Sequence, residues 1–339
     1  MNKKVLVLGG TGAMGKYLVP ELLTLGYRVD VVSLDEMTSD NPMLGYIKGN
    51  TKEEGFLEKL LENRYDGIVD FMTYKTKEFE EKYRLFLDNT KHYIFLSSCR
   101  VFADAPPITE ESPRLLDVSE DADFLATEDY ALYKAKEENL LHASEYTNWT
   151  IVRPATTYST GRFQLVTLEA PTVIYRMQAG KTIVLPEGAM SCQATLSWGG
   201  DVGKMIAKLL FNDRAYREAY NVASAEHHSW EEIAAMYNEL CPFNYITVST
   251  EDYLDIIEEG ADWAKYQLIY ARMFQRITDN SKILEHTGMK QEELMSLRDG
   301  LRFEYERSKD MDWSYFADDY RNVRMDDYLR KNGKKVFNR

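Results

Sequence analysis

Cysteine is scarce in this chain of 339 residues. Cys99, Cys192 and Cys241 are odd in number and far apart. They suggest neither a disulfide framework nor a zinc site, so the sequence predicts a protein of a reducing cytoplasm without bound metal. Histidine is nearly as rare. Of five, only His227 and His228 are close together, and adjacent side chains point different ways. No stretch approaches the roughly 20 apolar residues of a membrane helix. Met-Asn-Lys-Lys runs straight into an apolar segment, which leaves no room for a signal peptide. Positive charge is short as well: 55 acidic residues against 41 Lys and Arg give a net charge of −14. That argues against a nucleic-acid surface. It leaves an anionic small ligand open, because a local basic pocket is enough. Internal repeats and low-complexity linkers are missing too, and the length suits one large domain or two.

What the chain does have begins at once. Val5–Leu8 is a short apolar run of the kind buried on both faces of a parallel sheet. Gly9, Gly10, Gly12 and Gly15 follow. Met14, Tyr17, Leu18, Leu22 and Leu25 then recur at helical spacing until Gly26 stops the helix. Strand, glycine turn and helix open a dinucleotide-binding βαβ unit. Gly9 makes the tight turn, Gly12 lets the backbone approach a pyrophosphate, and Gly15 lets helix and strand pack closely. Gly9, Gly12, Ala13, Met14 and Gly15 are therefore the candidate phosphate contacts, at the positive end of a helix.

Further strands are expected at Tyr27–Leu34, 46–49, Asp66–Met72, Tyr93–Ser98 and Trp149–Pro154, with helices at about 52–63, 76–89 and 127–146. This alternation predicts an α/β fold, a Rossmann-type doubly wound parallel sheet. The residue at the end of the second strand normally meets an adenosine ribose; here the strand ends in Ser33, and the acids Asp35 and Glu36 come slightly later. No Arg or Lys follows until Lys48. Two carboxylates repel a 2′-phosphate, so NAD is expected over NADP. Asn50 is a candidate for the adenine edge, and Thr73 for the carboxyl edge of the sheet.

Ser97 and Ser98 end the fifth strand on that same edge. Tyr130 and Lys134 come some thirty residues later and share a helix face. An ammonium beside a phenol favours the phenolate and makes Tyr usable as an acid or base near neutral pH. Tyr305 and Lys309 repeat the spacing in a late charged helix without a strand-end Ser. Position, not spacing, singles out Tyr130.

The glycine turn, Ser97–Phe102 (SSCRVF) and Tyr130–Lys134 together resemble the extended short-chain dehydrogenase/reductase family, the NAD-dependent sugar-nucleotide epimerase/dehydratase group. The resemblance continues through Trp149–Pro154, Ser197–Val202, Ala219–Ala223 and Thr278–Lys282. It implies that Ser98, Tyr130 and Lys134 are catalytic, that Lys134 also bonds the nicotinamide ribose, and that the substrate is a nucleotide sugar. It also implies a smaller C-terminal substrate lobe, with Arg272 a candidate for a diphosphate. Departures include Leu8 for the usual Thr, Phe102 for a Tyr, and Thr156 and Thr157 where UDP-sugar epimerases often carry an Asn. The Asp-Glu pair that 4,6-dehydratases place after the strand-end Ser or Thr is here Cys99-Arg100, which ranks epimerisation above dehydration.

The expected organisation is a Rossmann domain over 1–155, segments over 156–305 that form the substrate lobe and complete the sheet, and a helical extension over 306–339. The extension either docks on the body or joins subunits, as in a homodimer. A reductase of a small carbonyl substrate, a non-catalytic dinucleotide sensor and an RNA-binding relative stay open beside the epimerase.

Overall fold

A computed structural model describes residues 2–258 and 263–337. Seven parallel strands form the central sheet: β1 (Lys4–Leu8), β2 (Arg28–Ser33), β3 (Leu44–Lys48), β4 (Gly67–Asp70), β5 (His92–Leu96), β6 (Trp149–Pro154) and β7 (Glu218–Val222). Their spatial order is β7-β6-β5-β4-β1-β2-β3. The order reverses between β1 and β4, and in such sheets a ligand lies in the crevice at that point. The doubly wound α/β class read from the sequence is the class observed.

The inner strands are rich in apolar residues because alternate residues feed opposite layers. Val5, Val7, Val29, Val31 and Val152 meet Leu18 and Leu22 of α1 (Gly15–Thr24) on one face. Leu6, Leu8, Ile68, Phe95 and Ile151 meet the other layer. That second layer contains α2 (Phe56–Leu61), α3 (Thr76–Asp88) and α4 (Tyr130–Ala143). Helix α4 carries the candidate catalytic pair, so the second layer sets the chemistry. The first layer is completed late in the chain by α5 (Gly199–Leu209), which contributes Val202, Met205 and Ile206.

A separate core gathers residues after β6. Phe163, Leu165, Ile174, Trp230, Tyr237 and Tyr253 pack there with Leu301 and Trp313. The helix Trp230–Leu240 starts at Ser229 with a reciprocal cap from Glu232. The expected extension folds back on this core. Its helix Tyr320–Lys331 buries Met325 and Leu329, and Asp326 accepts from Arg176 at 2.7 Å and Lys181 at 2.6 Å. Val336 is bonded through its carbonyl to the Thr182 N–H. Asn338 and Arg339, the end of the expected extension, lie outside the described residues.

Candidate active site

The floor of the site is the turn after β1. Gly9 has φ +72°, a backbone that a side chain rarely adopts, and its N–H donates to Val32 O at 2.9 Å. Gly15 lies against Gly10 so closely that a Cβ would sit 2.3 Å from Gly10 O. Gly10 is itself held between Val7 and Val31, a packing role the sequence alone did not suggest. Gly12 differs. A Cβ there would meet only Gly9 O, at 3.3 Å, so its outer face is open to the cavity. The first turn of α1 has no side-chain cap on its N–H groups. An open glycine face beside an uncapped helix start is the cradle a pyrophosphate requires.

Asp35, two residues past β2, is brought back to this turn. Its N–H donates to Ser33 Oγ at 3.0 Å, and its carboxylate accepts from Thr11 at 2.7 Å and from Ser33 at 3.0 Å. Those hydroxyls hold its acid below the ordinary carboxylate value. A negative charge therefore stands at the end of β2, as a free ribose hydroxyl prefers and a 2′-phosphate does not. Asn50 is occupied locally: its side-chain oxygen accepts the Lys52 N–H at 3.0 Å and shapes the turn after β3. Neither Ser33, Asp35 nor Asn50 lines the central cavity.

That cavity, of about 380 Å³, runs from the glycine turn to the second core. Gly9, Gly12, Ala13, Met14 and Gly15 line one end, with Thr73 beside them. Ser98 and Tyr130 line the middle, and Arg272 the far end. Ser98 caps the short turn Cys99–Val101, its Oγ accepting the Arg100 N–H at 3.1 Å. Tyr130 is the first residue of α4, capped by Asp129, whose carboxylate takes the Ala131 N–H at 2.8 Å. Asp129 also pairs with Arg100 at 3.3 Å. The Arg100 guanidinium lies 5.2 Å from the Tyr130 ring centroid. Glycine turn, serine and tyrosine thus share one space.

Lys134 does not share it. The sequence places the ammonium beside the Tyr130 phenol, but the Lys134 side chain is wholly buried under α4 and is absent from the cavity wall. Its Nζ donates to Glu137 Oε2 at 2.9 Å and lies 4.6 Å from the Phe95 ring centroid. The cation over the Tyr130 ring is Arg100. The reason is local: a carboxylate one helical turn on, equally buried, offers Lys134 a better partner than a phenol at the helix start.

The far end of the cavity is cationic. A π-helical turn, Leu268–Arg272, carries Arg272 inward. Arg272 donates to Val166 O, Thr156 Oγ1 and Gln164 Oε1 at 2.9, 3.1 and 3.1 Å. Arg276 donates to Phe102 O at 2.9 Å and Tyr270 O at 2.7 Å. Among the described residues, no carboxylate forms an ion pair with either. Burial, reinforced by neighbouring arginines, lowers their pKa values to about 9 and about 10. Among the same residues, no group of three or more His, Cys, Asp or Glu could hold a metal ion, and no helix is long and apolar enough to cross a membrane.

The model of the NAD dependent epimerase/dehydratase family matches residues 5–223, well over half of the chain. The chain belongs to that family. It is therefore an NAD-dependent enzyme, and the glycine cradle and Asp35 fit the cofactor. Among solved structures, it is similar to dTDP-glucose 4,6-dehydratase of Bacillus anthracis in complex with NAD, at 16% identity and TM-score 0.67, over 93% of this chain and 99% of that one. UDP-glucose 4-epimerase of Thermotoga maritima with UDP-glucose is 16% identical with TM-score 0.63, over 89% and 97%. The Bordetella bronchiseptica enzyme WbmG in complex with NAD and UDP is also 16% identical with TM-score 0.63, over 91% and 96%. No curated protein matches the chain in sequence.

Proposed function

We propose that this family member is an epimerase of nucleotide sugars. The observation that carries the reading is the single cavity with two unlike ends. Ser98 and Tyr130 stand beside the glycine cradle, and Arg272 and Arg276 line the other end, where among the described residues no carboxylate forms an ion pair with either. A buried guanidinium lacking an acid is costly, and an anionic ligand repays it. A diphosphate suits two forked donors. Relatives of the same fold whose structures contain UDP or UDP-glucose support that choice of ligand.

NAD, when bound, supplies a hydride acceptor that can also give the hydride back. The chain's own groups do the rest. Tyr130 Oη takes the proton of the sugar hydroxyl and later returns it. Ser98 Oγ already accepts from the Arg100 N–H, so its own hydrogen is free to donate to the same substrate oxygen and fix it. Arg272 and Arg276 hold the diphosphate while the sugar turns over between the two proton movements. The residues after Ser98 are Cys99 and Arg100. Burial pushes the Cys99 thiol up to about 12, so neither supplies the carboxylate acid and base that removal of water needs.

The test is incubation with UDP-, GDP- and dTDP-sugars in heavy water. The expected product is a 4-epimer without solvent deuterium, whereas 4,6-dehydration would leave deuterium at C5 and overturn the reading. Tyr130→Phe should lower turnover by about 10²–10⁴ with NAD still bound. Tyr305→Phe, at the same spacing from a Lys but outside the cavity, should leave turnover unchanged.

A further inference from the structure

Beneath α4 lies a polar cluster that the proton transfer at Tyr130 does not use. Lys134 and Glu137 are both fully buried and paired at 2.9 Å. Only one Glu137 oxygen is satisfied, since Oε1 has no hydrogen-bond partner. Facing them from β4 is Asp70, also buried, whose carboxyl accepts from the Met72 N–H and the Tyr93 hydroxyl, each at 2.9 Å. The Tyr74 hydroxyl nearby has no partner either. One ammonium thus acts on two buried carboxyls, and it lies over Phe95, whose chain neighbour Leu96 lines the cavity.

We propose that Glu137 stores Lys134 away from the cavity, and that cofactor binding draws Lys134 onto the nicotinamide ribose while Glu137 takes up one proton from water. The proposal rests on NAD occupying the glycine cradle. The exchange is forced by desolvation. A carboxylate left in a dry layer without its cation is too costly to stay charged, so it neutralises. The proton enters from solvent and ends on a Glu137 oxygen, and Lys134 keeps its own. Glu137 is thereby a positioning residue, acting through Lys134.

The surroundings favour Glu137 as the acceptor. On its own helix it faces Lys134, Tyr133 and Glu138. From β4, the loop after it and β5 it faces Asp70, Tyr74 and Tyr93. Lys134 is the one cation among these groups. Burial already lifts Glu137 to about 7, with Asp70 adding to the rise. Asp70 is lifted to about 6 by burial, and the Met72 N–H and Tyr93 hydroxyl, which stay when Lys134 leaves, oppose its rise along with Lys134 itself. Removal of Lys134 therefore protonates Glu137 first.

Because a proton is taken up, NAD should bind more weakly as pH rises above Glu137's resting value. Titrating NAD into the full chain by calorimetry, in buffers of different ionisation enthalpy, reads the proton number directly. We expect close to one proton taken up per NAD at pH 8 and little at pH 5.5. Kd should rise about tenfold between pH 7.5 and 8.5. Glu137→Gln should bind NAD with neither the proton nor the slope, and Asp70→Asn should keep an uptake shifted to lower pH. NAD binding to the wild type at pH 8 with no linked proton would overturn the proposal and leave the cofactor site standing. Uptake that persists in Glu137→Gln would overturn it too. Should Glu137→Gln not fold, the wild-type proton number decides alone. Failure of NAD to bind the wild type at all would instead remove the cofactor reading, and this exchange with it.

Discussion

Glu137 and Glu138 are adjacent on one helix, equally buried, and pressed against the same sheet, yet they meet opposite fates. Glu138 is saturated. Arg153 donates to its two oxygens at 2.8 and 2.9 Å, Arg114 donates at 3.2 Å and Ser97 at 2.5 Å. Those donors outweigh desolvation and keep its acid below the ordinary value. Glu137 has one cation, shared with Asp70, and one orphaned oxygen, so desolvation wins and its acid rises to about 7. What differs is the supply of donors, not depth. Glu138 ties α4 to β5, β6 and the segment around Arg114, as a structural joint does. Glu137 keeps a proton affinity in the working range of the protein, as a joint should not.

Neutralising each carboxylate separates the two roles, and Glu138→Gln should have the larger effect. It leaves the Arg153 guanidinium buried with no acid, which costs about 3–5 kcal/mol of stability. The sign with pH follows from the lowered acid. The contribution of Glu138 is fully present above the ordinary carboxylate value and is lost as pH falls through its folded value. Denaturant unfolding of both proteins should show a gap that is constant from pH 5 to 8 and narrows below about 4. A gap of less than 1 kcal/mol at neutral pH would mean that the Arg153 network is not a joint.

Glu137→Gln should behave in the reverse sense. A carboxyl raised from its ordinary 4.5 to about 7 binds its proton more tightly folded than unfolded. Wild-type stability relative to the Gln variant should thus fall as pH rises from about 4.5 to 7, and then level off, a change on the order of 3 kcal/mol. Unfolding curves at half-unit steps of pH measure it. A pH-independent difference, like that of Glu138, would erase the contrast between the neighbours.

The same helix marks where the sequence stops being readable. The sheet was legible because both its faces are buried, which makes β1, β4 and β5 continuous apolar runs. The glycine turn was legible because its geometry admits few residue types. In α4, Lys134, Glu137 and Glu138 are buried alongside Ala131, Leu132, Ala135 and Leu141, so charged side chains share the inward positions with apolar ones. Apolar periodicity therefore could not identify the buried face, and Lys134 was paired with Tyr130 instead of Glu137. Asp70 hides in the same way, as the one acid inside the run Gly67–Met72. Asp35 stands two residues beyond its strand, and only the Ser33 and Thr11 hydroxyls show that the chain turns back. Arg272 drew attention through its family position. That no carboxylate forms an ion pair with it among the described residues is a fact of packing that no local pattern encodes.

Ser97→Ala gives the finest division of the pair, because it removes a single donor from the saturated member. The Ser97 hydroxyl is buried and donates only to Glu138 among its described bonds, while Arg153 and Arg114 still hold both carboxylate oxygens. Hydrogen bonds to a charged group are worth about 1.5–3 kcal/mol. The remaining guanidinium donors should confine the loss to the lower end of that range. The Arg153 and Arg114 donors should keep Glu138 below the ordinary carboxylate value without the serine, so the loss should not vary from pH 5 to 8. A variant whose loss instead grows toward pH 8, as expected for Glu137, would show that the arginines alone do not keep Glu138 below the ordinary carboxylate range. The division between neighbours would then rest on one hydroxyl rather than on the arginine network.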